Sequence, residues 1–152
     1  MKLLTFAIPS YNSQDYMEHC ILSLLPGGDD VEILIVDDGS KDRTAEIADE
    51  YERKYPGIVR AIHQENGGHG AAVNTGLAAA EGLYFKVVDS DDWLDENAMR
   101  QVMAYLRSQL ERDHATDLVI GNYVYEKVHE GTRTVMGYFN VFPTEEEFGW
   151  KD

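Results

Sequence analysis

Cysteine is almost missing from this 152-residue chain, which has Cys20 alone. One thiol closes no intrachain disulfide and builds no multi-thiolate zinc site. Cys20 stands at helical spacing from Met17, Ile21 and Leu24, which predicts a small apolar core residue. Basic residues are scarce too, 13 Lys and Arg against 28 Asp and Glu, for a net charge of −15. Nucleic acid and anionic membranes are bound through positive charge, so neither is expected as a direct partner. No apolar run approaches the ~20 residues of a membrane-spanning helix. The apolar stretch at the N-terminus is short and no small-residue cleavage site follows it. It predicts a first strand instead of a signal peptide, and a cytoplasmic protein. Repeats, low-complexity tracts and linkers are also lacking, so residues 1–152 are expected to form one domain. The 43% hydrophobic content is sufficient to give that domain a core of its own.

What is present alternates in texture. Apolar runs at residues 3–8, 31–36, 58–62, 84–88 and 118–120 predict five strands. Helical patterns fall between them, at about residues 16–25, 41–55, 71–81 and 96–110. Asn12 or Ser13 is the expected cap of the first helix, Ser40 of the second and Asp95 of the fourth. Strand, helix, strand order with little alternation inside the strands predicts an α/β fold with a mostly parallel sheet flanked by helices. From residue 123 onward, two alternating segments separated by Glu130-Gly131 predict a C-terminal antiparallel hairpin. Thr144-Glu145-Glu146-Glu147 has a capping-box pattern that announces another helix, and residues 1–152 are therefore expected to be cut from a longer protein.

In an open parallel sheet, ligands bind beyond the carboxyl ends of the strands. Pro9-Ser10-Tyr11-Asn12, Asp37-Asp38-Gly39-Ser40 and Asp89-Ser90-Asp91-Asp92 all fall there. Asp89-Ser90-Asp91 is a D-x-D pattern whose carboxylates can present oxygens to a hard divalent cation, Mg²⁺ or Mn²⁺. An acidic edge would repel a nucleoside diphosphate unless a cation stood between them. The same residues also suit a solvated turn that caps the next helix, and Asp92 and Asp95 fit that alternative better than Asp89 and Asp91. One carboxylate of Asp37-Asp38 can hydrogen-bond a base or ribose, and Tyr11 can stack on the base. Asn66-Gly67-Gly68-His69-Gly70 opens a helix, where a close backbone approach and the helix N-terminus both favour an anion. This loop matches neither the P-loop nor the dinucleotide fingerprint, and a plain connector is the alternative. No role is assigned to His19, His63, His69, His114 or His129.

Taken together, Ile8-Pro9-Ser10-Tyr11-Asn12, Ile35-Val36-Asp37-Asp38-Gly39-Ser40-Lys41-Asp42, Glu65-Asn66-Gly67-Gly68 with Asn74 and Gly76, and Val88-Asp89-Ser90-Asp91-Asp92 resemble glycosyltransferase family 2. The likeness runs over residues 5–121. It implies the GT-A fold, a Rossmann-like nucleotide-diphospho-sugar transferase fold, of which this chain is the N-terminal donor-binding part. By resemblance Pro9, Tyr11 and Asn12 belong to the nucleotide pocket and Asp38 holds the base. Asp89 and Ser90 approach the ribose and diphosphate, and Asp91 binds the metal together with Asp89. Asn66, Gly68, Asn74 and Lys86 sit near the diphosphate or sugar. The implied reaction is metal-dependent transfer of a sugar from a nucleotide-diphosphate donor, a UDP-sugar first among them, with inversion at the anomeric carbon. The family's catalytic base lies well downstream of the metal motif and is expected beyond Asp152. The acceptor, whether glycan, lipid or protein, is not legible, and attachment to the inner face of the membrane through other segments or partners stays open.

Three relatives in chemistry fit less well. A haloacid-dehalogenase phosphatase carries its D-x-D after the first strand, where this chain has Pro9-Ser10. A receiver-like signalling domain needs its acidic pair at that same place. A nucleotidyltransferase of related fold would carry a basic glycine-rich loop near the first strand, and none is seen. A non-catalytic nucleotide-binding or interaction module is the remaining alternative.

Overall fold

The computed structural model describes residues 1–112, 115–127 and 129–138. Contacts divide the chain into two compact units, Met1–Ser108 and Gln109–Asp152.

The first unit is built on four strands: β1 (Leu4–Ser10), β2 (Val31–Asp37), β3 (Val59–His63) and β4 (Tyr84–Val87). All pair in parallel, in the spatial order β3-β2-β1-β4. β1 and β2 are buried along their whole length, which explains why their sequences are apolar without alternation. Four helices connect or follow the strands: α1 (Met17–Leu24), α2 (Thr44–Lys54), α3 (His69–Ala79) and α4 (Glu96–Gln109). A 3₁₀ turn at Leu25–Asp30, opened by Pro26, leads from α1 into β2.

The main core lies on one face of the sheet. Phe6, Ile8, Ile33 and Ile35 point into it and meet Met17, Ile21 and Leu24 of α1, Ile47 of α2, and Met99 and Met103 of α4. Each fully buried side chain of this size contributes roughly 1.5–3 kcal/mol against exposure. Cys20 belongs to the same cluster and is wholly buried. On the opposite face α3 approaches very closely, because a Cβ on Gly76 would lie 2.7 Å from the Ala7 Cβ. That explains the run of small residues in α3.

One charge is buried inside β2. Glu32 accepts hydrogen bonds from the Thr5 hydroxyl at 2.8 Å and the Glu81 amide at 2.9 Å, and pairs with Arg60 of β3 at 3.2 Å. With both oxygens partnered, a carboxylate can sit in an otherwise apolar strand.

Several local expectations are corrected. Residues 118–120 form no strand; Leu118, Val119 and Ile120 are exposed and pair with no ladder. Three apolar residues are too few to hold strand geometry without a partner to satisfy their backbone groups. Neither Asn12 nor Ser13 caps α1 through its side chain. The Ser13 hydroxyl is engaged by Ser90, so the Ser13 carbonyl receives the amides of Tyr16 and Met17 instead. Ser40 does not cap α2, which starts at Thr44, and Asp42 Oδ1 accepts the Thr44 amide at 2.9 Å. Asp95 does cap α4, accepting the Ala98 amide at 2.9 Å.

In the second unit β5 (Tyr123–Lys127) and β6 (Thr132–Met136) form the expected antiparallel hairpin. Tyr123 and Tyr125 meet edge to face with centroids 5.6 Å apart, and Arg133 pairs with Glu126 across the strands at 2.8 Å. The helix expected from residue 144 lies outside the described residues. Among the described residues no helix is long and apolar enough to cross a membrane.

Candidate functional site

The strand order sets the place of the site. The chain runs outward from β1 through β2 to β3, then returns to lay β4 on the other side of β1. β1 and β4 are thus neighbours at the point where the order of the strands reverses, and the turns that follow them border a crevice at their carboxyl ends. Pro9-Ser10-Tyr11 stands on one side of it and Asp89-Ser90-Asp91 on the other.

The loops around the crevice are tied to one another. Asn12, with φ at 51°, donates its amide to the Ser40 hydroxyl at 3.0 Å and accepts the Lys41 amide on Oδ1 at 2.9 Å. Ser13 donates its amide to Thr44 Oγ1 at 2.7 Å. These bonds join the turns that follow β1 and β2. Asn12 thus acts as a joint between loops and does not line the cleft.

The acidic turn is anchored from beneath. Ser90 is buried and its hydroxyl shares a hydrogen bond with Ser13 at 2.8 Å. The Cys20 thiol donates to the Asp89 carbonyl at 3.6 Å, and the Leu94 amide donates to Ser23 Oγ at 3.1 Å. Burial, together with Asp92, Asp89 and Asp91, pushes the Cys20 thiol up to about 12, so it serves as packing and not as a nucleophile. While the backbone of the turn is held, the side chains of Asp89 and Asp91 remain exposed on the rim. Burial and then the charges of Asp91 and Asp89 raise the Asp92 carboxyl above its ordinary value, with Lys86 opposing them. Negative charge is thus crowded at this turn.

Asp38 has the opposite surroundings. It is 3% exposed, and its Oδ1 accepts from the Gly67 amide at 2.8 Å and Gln64 Nε2 at 2.7 Å, while Oδ2 accepts from the Gly68 amide at 2.8 Å. The Gly67 amide above all, with Gln64 and Gly68, outweighs burial and holds this carboxyl below the usual carboxylate range. Asn66 adds a bond from Nδ2 to the Asp38 carbonyl at 2.9 Å. Asp38 therefore secures the glycine loop to the end of β2. Gly39, at φ 69°, passes so near that a Cβ there would stand 2.9 Å from the Asn66 amide nitrogen.

These parts enclose an open cleft of about 490 Å³. Of the predicted donor residues, Pro9, Tyr11, Asp38, Asn66 and Gly68 line it from the β1, β2 and β3 side. Asp89, Ser90 and Asp91 line it from the β4 side. Asn74 is exposed on α3 and Lys86 exposed on β4, and neither lines the cleft. Ser10, Ser13, Tyr16, His69 and Ala72 also line it, and none of them was assigned a ligand role from the sequence. His69 is the most consequential of them, since its Nε2 lies 2.8 Å from Asp89 Oδ1. A lone loop histidine at no metal-ligand spacing carries no signal in sequence; only the neighbouring positions of α3 and β4 create the contact.

Among the described residues no group of three or more His, Cys, Asp or Glu side chains is arranged to hold a metal ion. The crowded carboxylates nonetheless fit a hard cation that keeps most of its ligands as water and phosphate oxygens. Magnesium-type sites in nucleotide enzymes take one or two protein carboxylates and leave the rest to substrate.

The chain is similar to known proteins. An uncharacterized glycosyltransferase, EpsJ, of Bacillus subtilis (strain 168) is 41% identical over 112 residues, 73% of this chain and 32% of its own length. Glycosyltransferase GlyG of Streptococcus pneumoniae serotype 4 is 38% identical over 124 residues, 80% of this chain and 39% of its own. Among solved structures, S. aureus TarS 1-349 in complex with UDP superposes with a TM-score of 0.63 at 30% identity, covering 72% of this chain and 33% of that one. The chain spans about a third of the length of these two curated relatives. A family model described as glycosyl transferase family 2 matches residues 5–150, and a match over nearly the whole sequence means that the chain belongs to that family.

Proposed function

We propose that this chain is the donor-binding part of an inverting glycosyltransferase that takes a nucleotide-diphosphate sugar, with a UDP-sugar as first choice. The observation that carries the reading is the single cleft shared by Pro9, Tyr11 and Asp38 on one side and Asp89, Ser90 and Asp91 on the other. The complexes of S. aureus TarS with UDP and with UDP-GlcNAc support the uridine choice at 30% and 29% identity.

In this reading Tyr11, half exposed at the rim, offers its ring to the base and keeps its hydroxyl in water. Asp38 remains an ionised acceptor at the inner wall, with lone-pair capacity left over for a base N–H. The amides at the start of α3 face the anion. Asp91, with Asp89, holds Mn²⁺ or Mg²⁺ against the diphosphate. Bound there, the ion supplies Lewis-acid stabilisation of the charge that collects on the departing diphosphate.

The test is a thermal-shift panel of UDP, GDP, dTDP and CDP, each with Mn²⁺ and with EDTA. A ligand that binds only the native state raises Tm by mass action, by about 2.7 kcal/mol of stability at a hundredfold excess over Kd. The expected outcome is a shift for UDP that EDTA abolishes and that Asp91→Ala reduces at least tenfold in apparent affinity. A wild-type protein that shows no shift with millimolar nucleotide and Mn²⁺ would overturn the donor reading in favour of an interaction module.

A further inference from the structure

The cleft has a charge problem that the carboxylates cannot solve. Its described lining includes Asp38, Asp89 and Asp91 but neither Lys nor Arg, although its proposed ligand is an anion. Most of the lining's polar side chains are also committed elsewhere. Ser10 donates to the Ile8 carbonyl, Ser13 and Ser90 bond each other, and the Asn66 amide is spent on the Asp38 carbonyl. His69 differs. It is the first residue of α3, its side chain is 64% exposed, and its Nε2 lies against the carboxylate of Asp89, itself 52% exposed.

We infer that His69 is a donor-binding residue whose Nε2–H contacts a diphosphate oxygen of the nucleotide. In the free protein Asp89 Oδ1 accepts the hydrogen bond from this N–H and so favours the tautomer that carries the proton on Nε2. With a diphosphate beside Asp89, the same N–H would donate to a phosphate oxygen instead, and the Asp89 carboxylate would be left to hold the cation. No bond to carbon or phosphorus forms or breaks, and no change of protonation is needed. Placement at the head of α3 adds to the contact, because the helix amides and the imidazole then address the same anion. The inference rests on the donor reading above and extends it to a residue that the D-x-D pattern does not include.

The experiment measures the Kd of UDP and of uridine, with Mn²⁺ present, for wild type, His69→Ala, His69→Gln and Asp91→Ala. A hydrogen bond to a charged group is worth about 1.5–3 kcal/mol, so His69→Ala should weaken UDP roughly ten- to hundredfold. Uridine, which lacks phosphate, should bind His69→Ala as it binds wild type. His69→Gln, which restores an N–H donor, should recover a substantial part of the lost UDP affinity. An exposed side chain leaves the unliganded Tm unchanged, which separates binding from folding. UDP binding to His69→Ala within twofold of wild type, or an equal loss for uridine, would sink the inference while a strong Asp91→Ala effect left the donor site standing. Failure of wild type to bind UDP at all would remove both.

Discussion

Asp38 decides more than its place in a motif suggests. A carboxylate only accepts hydrogen bonds, and three donors from the glycine loop converge on this one. Asp38→Asn keeps the shape but turns one acceptor into an NH₂ group that faces a backbone N–H. The expected cost is about 1.5–3 kcal/mol of stability, read by urea or thermal unfolding, with protease sensitivity rising in the loop at residues 64–68. A loss below ~0.5 kcal/mol would mean that the loop is held by other contacts. The depressed pKa gives the acid side of the same prediction. This stabilisation is present above the unfolded carboxylate value of about 3.9 and is lost as pH falls through the lower folded value. His69 and Asp38 together show why residue type alone misjudges a site. The aspartate was read as a ligand-holder and is also a loop anchor; the histidine was passed over and faces the D-x-D.

At the scale of elements, α3 is the piece that most depends on its exact side chains. Its residues are small because the helix lies almost on top of β1. At Gly76 a Cβ would come within 2.7 Å of Ala7 and 3.5 Å of Val36, both in the sheet. Gly76→Val should therefore push the helix off the strands and cost about 1–3 kcal/mol by chemical denaturation. The same helix supplies its own control. A Cβ at Gly70 meets nothing within 4 Å, so Gly70→Ala should be neutral or stabilise by about 0.5–1 kcal/mol. Equal effects at the two glycines would contradict the packing described. Other elements are held by polar ties between loops, as where Asn12 joins the turns after β1 and β2. Such ties explain why the expected caps at Ser13 and Ser40 fail: each hydroxyl already serves a neighbouring turn.

For the whole molecule, charge sets the working conditions. A net charge of −15 means that an anionic ligand reaches this protein only where cations or oriented N–H groups offset the surface field. It also makes the few histidines important near neutrality. His63, at the end of β3, lies 3.1 Å from Asp37 of β2 and 3.1 Å from Asp49 of α2. Burial by itself would lower its pKa, but hydrogen bonds to Asp37 and Asp49 outweigh burial and raise it. The stabilisation is fully present below the unfolded histidine value of about 6.5 and is lost as pH rises through the higher folded value. Wild-type stability should thus decline as pH rises above about 6.5, and His63→Gln should flatten that decline. A slope unchanged by the substitution would show that the two carboxylates do not hold the imidazolium.

The parallel sheet, the hairpin and the acidic strand ends were legible in the linear sequence. Burial on both faces demands continuous apolar runs, and ligand-facing turns carry residues that no core would tolerate. Most of the cleft was legible on the same grounds, from Pro9 and Tyr11 to Asp91. The false strand at residues 118–120 marks the limit, because three apolar residues look alike whether or not a neighbour strand accepts their backbone bonds. Only the tertiary structure decided which carboxylate is spent on the loop, which serine is already paired and which histidine meets Asp89. The physical reason is range. Burial and turn preferences act within a few residues of chain, whereas these contacts join positions 20 to 77 residues apart that the sheet order alone makes neighbours.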